Sequence, residues 1–170
     1  MTTVAHAEPA DIDDLAGIAE EMDRFYGATE VEPLEVRVRQ IGEALFHDPP
    51  SAYALLARDG GALVGFASYS FLWPAVGLTR SLYLKELYVI GAARGRGIGK
   101  LLMRLLCNIA VKNGCSRLEW TTDRDNTDAR RFYAQLGVSV KESKLFYRIE
   151  GDDLTSGTGE VLQIPSPPSA

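Results

Sequence analysis

Residues 82–106 have the sequence LYLKELYVIGAARGRGIGKLLMRLL, which predicts a strand, a glycine-rich bend and a helix in that order. The first N–H groups of a helix have no partner within the helix, and the helix dipole favours an anion beside them. Glycine lets such a ligand approach the backbone, because no Cβ stands in the way. The stretch therefore predicts a site for a phosphate-bearing ligand. Positive charge is expected beside it from Arg94, Arg96 and Lys100.

Two common phosphate-binding patterns do not fit this bend. The nucleotide P-loop requires Ser or Thr after its lysine, whereas Lys100 is followed by Leu101. The dinucleotide fingerprint requires its third glycine one position later than Gly99, after an opening βαβ unit. The pattern that fits is [RQ]-x-x-G-x-[GA], which is met by Arg94, Gly97 and Gly99.

A second informative stretch begins at Asn126 and continues as TDARRFYAQLG over residues 127–137. One predicted helix and one predicted strand separate it from the bend. In this order and spacing, the two stretches resemble the two signatures of the GCN5-related N-acetyltransferase (GNAT) family. The resemblance is carried by motifs over residues 82–140, and over the first 80 residues it is one of architecture.

The element pattern predicts the α/β fold that this resemblance also implies, with a central, mostly antiparallel mixed sheet and helices on both faces. Helices are predicted from Pro9 to Phe25, from Pro33 to Phe46, from Gly99 to Asn113 and from Thr127 to Leu136. Strands are predicted at Val4–Ala7, Ala52–Arg58, Ala62–Phe71, Leu82–Ile90, Arg117–Thr121, Val138–Lys141 and Leu145–Ile149.

The resemblance implies an acetyl-CoA-dependent N-acetyltransferase that uses no metal. It assigns the diphosphate of the coenzyme to the bend residues Arg94, Gly95, Arg96, Gly97, Ile98, Gly99 and Lys100. The pantetheine arm is expected along the main chain of Leu87, Tyr88 and Val89, where the strand diverges from its neighbour. Asn126 either holds the coenzyme with its amide or caps the following helix.

Two residues are candidates for the proton transfers that acetyl transfer to an amine requires. Tyr133 resembles the general acid of the family, and a phenol with a pKa of about 10 is protonated at neutral pH. Its alternative role is that of a packing aromatic. Glu86 is the candidate base, and strand alternation predicts Lys85 on the opposite face. Some polyamine-type relatives carry the acid at the position of Lys85, so Glu119 and the Glu20, Glu21 and Asp23 group remain alternatives.

The acceptor amine is expected to meet the turn after the first helix, at Phe25, Tyr26 and Glu30, and the loop at Trp73. Charge and aromatic contact at these residues would hold a cationic amine. A helix end with an apolar anchor has the same sequence pattern. The favoured acceptor is a small amine of the polyamine, amino-acid or aminoglycoside type. The alternatives are a protein lysine or peptide N-terminus, and a non-catalytic sensor of acyl-CoA.

Composition predicts one domain over residues 1–150 and a disordered tail over residues 151–170, in which Val161–Ile164 alternatively docks on a neighbour. Residues 1–60 carry 13 acidic and 4 basic side chains, whereas residues 61–150 carry 7 acidic and 14 basic ones. This asymmetry suits a cationic acceptor and an anionic cofactor, although solvated helix faces have the same composition. The pattern indicates neither a nucleic-acid partner nor a membrane segment, and it predicts a cytoplasmic protein. Cys107 is expected to be buried, and the family resemblance implies a homodimer.

Overall fold

The computed structural model describes residues 1–156. The elements are β1 (Thr2–His6), α1 (Ile12–Phe25), α2 (Leu34–Phe46), β2 (Tyr53–Asp59), β3 (Ala62–Leu72), β4 (Arg80–Val89), α3 (Ile98–Lys112), β5 (Cys115–Glu119), α4 (Thr127–Gln135) and α5 (Asp152–Ser156). They form two compact units, residues 1–130 and the residues from Arg131 onward. The prediction of one domain over residues 1–150 stays a prediction.

The five strands lie in one sheet in the order β1-β2-β3-β4-β5. The first three pairs are antiparallel and β4 pairs with β5 in parallel, which confirms the predicted mostly antiparallel mixed sheet. A two-residue turn joins β2 to β3 through Gly60 and Gly61, whose φ angles are 58° and 87°. Two successive positive φ angles suit the twist of a tight hairpin, so the glycine pair sets the register of these strands.

Helices pack on both faces of the sheet. On one face, Leu15 and Ile18 of α1 form a buried cluster with the strand residues Ala54, Leu56, Phe66 and Tyr88. On the other face, the α3 residue Ile98 approaches Gly65, the neighbour of Phe66 in β3. Neighbouring strand residues point to opposite faces, so α3 lies across the sheet from α1.

The C-terminal strands that the sequence predicts are not observed. The structure assigns no strand to residues 137–151, and the apolar side chains there are exposed: Val138, Val140, Leu145, Phe146, Tyr147 and Ile149. An alternating apolar pattern makes a strand only when a partner backbone satisfies its main-chain groups. Within the second unit, the described residues contain no strand that supplies one.

Three further expectations have outcomes in the described residues. Cys107 is exposed, not buried, because it lies beside the apolar stripe of α3 that buries Leu102 and Leu106. The segment predicted to be a disordered tail contains α5, while residues 157–170, including Val161–Ile164, lie outside the described residues. None of the helices within residues 1–156 has the length and apolar character needed to cross a bilayer.

Gly65 allows β3, β4 and α3 to pack closely. A Cβ there would lie 2.9 Å from the Tyr88 carbonyl oxygen and 3.2 Å from Val89 Cγ2. We therefore expect Gly65→Ala to lower the free energy of unfolding by roughly 1–3 kcal/mol, because backbone must shift to admit the methyl group. Gly17→Ala is the control, because no atom lies within 4 Å of its added Cβ.

The control substitution should raise stability by up to about 1 kcal/mol, since alanine favours the helix interior. Urea unfolding of the wild type and both variants measures these changes. A Gly65→Ala protein as stable as the Gly17→Ala protein would contradict the close-packing explanation.

Candidate functional site

The glycine-rich bend leads directly into α3. Gly95 and Gly97 have φ angles of 75° and 82°, and nothing lies within 4 Å of where a Cβ would stand on either residue. The Leu101 N–H donates to the Gly97 carbonyl oxygen at 3.0 Å, which begins the hydrogen-bond ladder of the helix. The N–H groups of residues 98–100 therefore have no acceptor inside α3. The bend presents main-chain donors to open space at the positive end of the helix dipole.

The two arginines of the bend are held by protein groups. Arg94 Nε donates to the Val89 carbonyl oxygen at 2.9 Å, and its guanidinium carbon lies 4.1 Å from the centre of the Phe25 ring. Arg96 pairs with Asp59 and holds the pKa of that carboxyl below its usual value. Both guanidinium groups therefore already interact with protein groups. Lys100 is exposed in the first turn of α3.

Strand β4 diverges from β5 partway along its length, as the sequence analysis expects. The parallel pairing ends at Tyr83 opposite Glu119, whereas β4 pairs with β3 as far as Val89. In the described part of the chain, the main-chain groups of residues 84–88 that point toward the β5 side thus have no strand partner there. This open edge contains Leu87 and Tyr88 and leads to the bend, while the Val89 carbonyl already accepts from Arg94.

A β-bulge at Lys85 changes which way β4 presents Glu86. Tyr69 of β3 pairs with Leu84, but its neighbour Ser68 pairs with Glu86, so Lys85 is the extra residue. Directly paired residues share a face and neighbours on one strand do not, so Leu84 and Glu86 point to opposite faces. Glu86 consequently points, like Tyr88, to the face of the sheet on which α1 packs.

The bulge also brings the side chains of Lys85 and Glu86 together. Lys85 Nζ lies 3.8 Å from Glu86 Oε1, with the two side chains 67% and 36% exposed. The expectation from strand alternation, that they lie on opposite faces, is therefore wrong. Burial raises the pKa of Glu86, the Lys85 ammonium opposes this shift, and the carboxylates of Asp23 and Asp123 add to it.

The end of α1 brings two aromatic rings to the same region. The Phe25 ring lies 5.9 Å from the Tyr88 ring, centre to centre, and 5.2 Å from the Tyr26 ring. Burial and the negative charge of Glu86 raise the pKa of Tyr26. The charge of Glu86, the predicted base, therefore acts on the phenol of Tyr26, a predicted substrate residue.

Asn126 contacts both this region and the next helix. Its Oδ1 accepts the Ala129 N–H at 3.1 Å, which is the cap interaction that the sequence analysis left as an alternative. Its side chain also lowers the pKa of Tyr26. Asn126 therefore joins the start of α4 to the end of α1.

Other predicted site residues lie elsewhere. Trp73 is in the loop between β3 and β4, where its Nε1 donates to the Leu78 carbonyl oxygen at 3.0 Å. This loop precedes Arg80, whereas the bend follows the other end of β4. Glu30 is exposed in the segment between α1 and α2. Within residues 1–130, no hydrogen bond or ion pair joins Trp73 or Glu30 to Glu86.

The alternative acids differ in their surroundings. Glu119 pairs with Arg117, and Glu20 pairs with Arg24 and Arg37. Glu21 accepts the Tyr88 hydroxyl at 3.0 Å. The negative charge of Asp23 raises the pKa of Glu86. So does that of Asp123, which was not among the candidate residues predicted from the sequence. The feature that could have indicated Asp123 is its position in the loop that follows β5, the strand whose pairing with β4 ends at Tyr83.

Tyr133 lies on α4 in the second unit. It is partly buried, and its ring centre lies 5.2 Å from that of Phe132. The Leu136 and Val138 N–H groups donate to its carbonyl oxygen, and Gly137, with a φ of 75°, follows the end of the helix.

Comparison with known proteins adds a family match. The profile of the acetyltransferase (GNAT) family matches residues 15–138. A thialysine N-epsilon-acetyltransferase of Mus musculus is 27% identical over 173 residues, which cover 93% of this chain and 98% of that protein. An L-ornithine N5-acetyltransferase of Arabidopsis thaliana is 30% identical over 92 residues, 54% of this chain and 40% of that protein.

Solved structures agree with the fold. An integron cassette protein from the mobile metagenome of V. cholerae has a TM-score of 0.86 and 30% identity, covering 93% of this chain and 98% of that one. An aminoglycoside N-acetyltransferase solved with CoA has a TM-score of 0.72 and 20% identity, covering 87% and 94% of the two chains.

The carboxylates around Glu86 should be measurable through its titration. We expect a Glu86 pKa above that of an exposed glutamate, because burial disfavours the charged form. Asp123→Asn should lower this pKa, since it removes a nearby negative charge, and Lys85→Gln should raise it. NMR titration of the Glu86 carboxyl carbon gives these values.

Asp13→Asn is the matched control, because Asp13 is exposed in the first turn of α1 and is not among the groups that shift Glu86. It should leave the titration unchanged. The placement of Asp123 would be refuted by an Asp123→Asn protein whose Glu86 titrates as in the wild type.

Proposed function

The chain belongs to the acetyltransferase (GNAT) family and is an acetyl-CoA-dependent acetyltransferase, and we propose that its acceptor is the primary amine of a small molecule. The acceptor is of the polyamine, amino-acid or aminoglycoside type. The observation that carries this proposal is the half-buried Glu86, which shares a face of the sheet with Tyr88 and the Phe25 ring and on which the negative charges of Asp23 and Asp123 act. Carboxylates and an aromatic ring suit a cationic amine. The names of the two relatives, which refer to thialysine and ornithine, support a small amine acceptor.

The residues of the bend fit the diphosphate of the coenzyme. The positions of the missing Cβ atoms of Gly95 and Gly97 are open, and the first-turn N–H groups of α3 have no acceptor within the helix. We assign the diphosphate to the main chain of residues 94–100 and to the Lys100 ammonium, and the pantetheine arm to the open edge at Leu87, Tyr88 and Val89. When bound, acetyl-CoA supplies the acetyl thioester.

Two side chains are assigned to the proton transfers. Glu86 accepts a proton from the acceptor ammonium, directly or through water, so that a neutral amine attacks the acetyl carbon. A raised pKa makes this carboxylate a better base near neutral pH. Tyr133 donates its phenolic proton to the sulfur that leaves. The C–N bond forms as the C–S bond breaks, and the proton that the amide nitrogen then loses returns through water to the Tyr133 phenolate. The mechanism assigns no role to a metal.

The test of this function is an acetyl-CoA consumption assay with free thiol as the readout, run across polyamines, amino acids, aminoglycosides and short peptides. Thiol release that depends on a small amine supports the proposal. Release with peptides alone would replace it with a peptide acetyltransferase. Tight coenzyme binding with no release on any acceptor would contradict it.

We also propose a homodimer in the cytoplasm. Exposed apolar side chains lie in both segments that the sequence predicts as C-terminal strands, and pairing with a second copy would bury them and satisfy their main-chain groups. Cys107 and Cys115 are free thiols, as expected in a reducing compartment. Sedimentation velocity should report twice the mass of one chain, and a monomer at micromolar concentration would contradict the dimer.

We expect Tyr133→Phe to lower kcat by ~10-fold or more while leaving acetyl-CoA affinity nearly unchanged, because the variant lacks the donated proton and keeps the ring. Steady-state kinetics and calorimetric titration of acetyl-CoA measure the two quantities. Tyr53→Phe is the control, since Tyr53 stacks on Tyr69 within the first unit. An unchanged kcat in Tyr133→Phe would remove Tyr133 from the mechanism.

We expect Glu86→Gln to lower kcat/KM by about 100-fold, because an amide does not accept the ammonium proton. In the wild type the rate should fall as pH falls through the raised Glu86 pKa, where the carboxylate becomes protonated. The variant should lose this acid limb of the pH–rate profile. If Glu119→Gln lost the limb and Glu86→Gln kept it, the base would be on β5.

A further inference from the structure

We propose that Lys85 selects the acceptor: its ammonium binds the carboxylate of a zwitterionic diamino acid whose distal amine is acetylated beside Glu86, and it repels purely cationic diamines. The inference rests on the proposed function and narrows its acceptor class. It follows from the bulge in β4, which brings the Lys85 ammonium beside Glu86, whereas strand alternation would place the two side chains on opposite faces.

The first step of the argument is the position of Lys85. As the extra residue between the pairs Tyr69–Leu84 and Ser68–Glu86, it has no direct partner on β3. Its side chain is 67% exposed and its Nζ lies 3.8 Å from Glu86 Oε1. The ammonium thus stands at the solvent side of the half-buried carboxylate, where an approaching acceptor meets both.

The second step is the pattern of charge that the acceptor meets. The charges acting on Glu86 come from Lys85, from Asp23 near the end of α1 and from Asp123 after β5. Arg94, which acts on Tyr26, already donates to the Val89 carbonyl and stacks on Phe25. Lys85 is therefore a positive group at this region whose end remains exposed for a ligand.

The third step matches this pattern to a ligand. A diamine carries two positive charges, so Lys85 repels one end while Glu86 attracts the other. A diamino acid carries a carboxylate as well, which gives Lys85 an opposite charge to pair with. Its α-ammonium then suits Asp23 and Asp123, and its distal amine suits Glu86. Each of the three charged groups of such a molecule thus has a group of opposite charge in the site.

The experiment compares acceptors that differ in the carboxylate alone. L-Lysine and cadaverine form one pair, and L-ornithine and putrescine form a second of shorter chain. L-Lysinamide keeps the size of lysine and neutralises its carboxylate. For the wild type, we expect kcat/KM to be ~10-fold or more higher for each amino acid than for its diamine. Lysinamide should behave as cadaverine does.

Four variants test whether Lys85 is responsible. Lys85→Gln should raise KM for the amino acids and leave kcat within about twofold, because a lost binding contact acts on KM. Lys85→Glu should reverse the preference within each pair, and Lys85→Arg should keep it. Lys112→Glu makes the same charge change in the last turn of α3 and should leave the ratios unchanged.

The outcomes separate the two proposals. One outcome is that the wild type and Lys85→Glu both acetylate the amino acid and the diamine of a pair with the same ratio of kcat/KM values. That result would overturn the role of Lys85 and leave the proposed function standing. A wild type that prefers the diamines would do the same. No thiol release with any of the five compounds would overturn the role of Lys85, and the small-amine function would then stand only if a polyamine or aminoglycoside of the wider panel released thiol. Thermal unfolding of each variant establishes that it is folded.

Discussion

The bulge at Lys85 is the constraint on which the candidate site depends. One extra residue in β4 makes Leu84 and Glu86, two positions apart, face opposite sides of the sheet. Leu84 thereby remains in the core, while Glu86 and Tyr88 turn toward α1, where Phe25 and Tyr26 end the helix. In a regular strand without the bulge, Glu86 would share the face of Leu84, where burying its charge without a partner is unfavourable.

Strand β4 also links Glu86 to the glycine-rich bend. It pairs with β3 along its length but leaves β5 after Tyr83, so one edge of its main chain is open before the bend begins. Arg94 holds the two ends of this arrangement together, because it bonds the Val89 carbonyl and stacks on Phe25. The end of α1, the strand and the start of α3 are therefore mechanically connected through one guanidinium.

Local sequence rules predicted most of the helices and strands up to Gln135. Residues 34–46, 62–71 and 127–135 are elements in both the prediction and the structure, because apolar periodicity and glycine turns act over a few neighbouring residues. The glycine-rich bend was predicted on equally local grounds, since Gly95 and Gly97 adopt positive φ angles that glycine favours. The C-terminal strands were predicted on the same grounds and are absent, because a strand also requires a partner that its own residues do not supply.

The sequence by itself therefore determined the class of the fold and the bend at the start of α3, and it supplied Glu86 as a candidate acid on β4. Only the tertiary structure decided which groups meet. The pairing of Glu86 with Lys85 follows from the register between β3 and β4, and the influence of Asp123 follows from where the chain returns after β5. Register and return path depend on packing between residues far apart in the chain, and no local pattern encodes them.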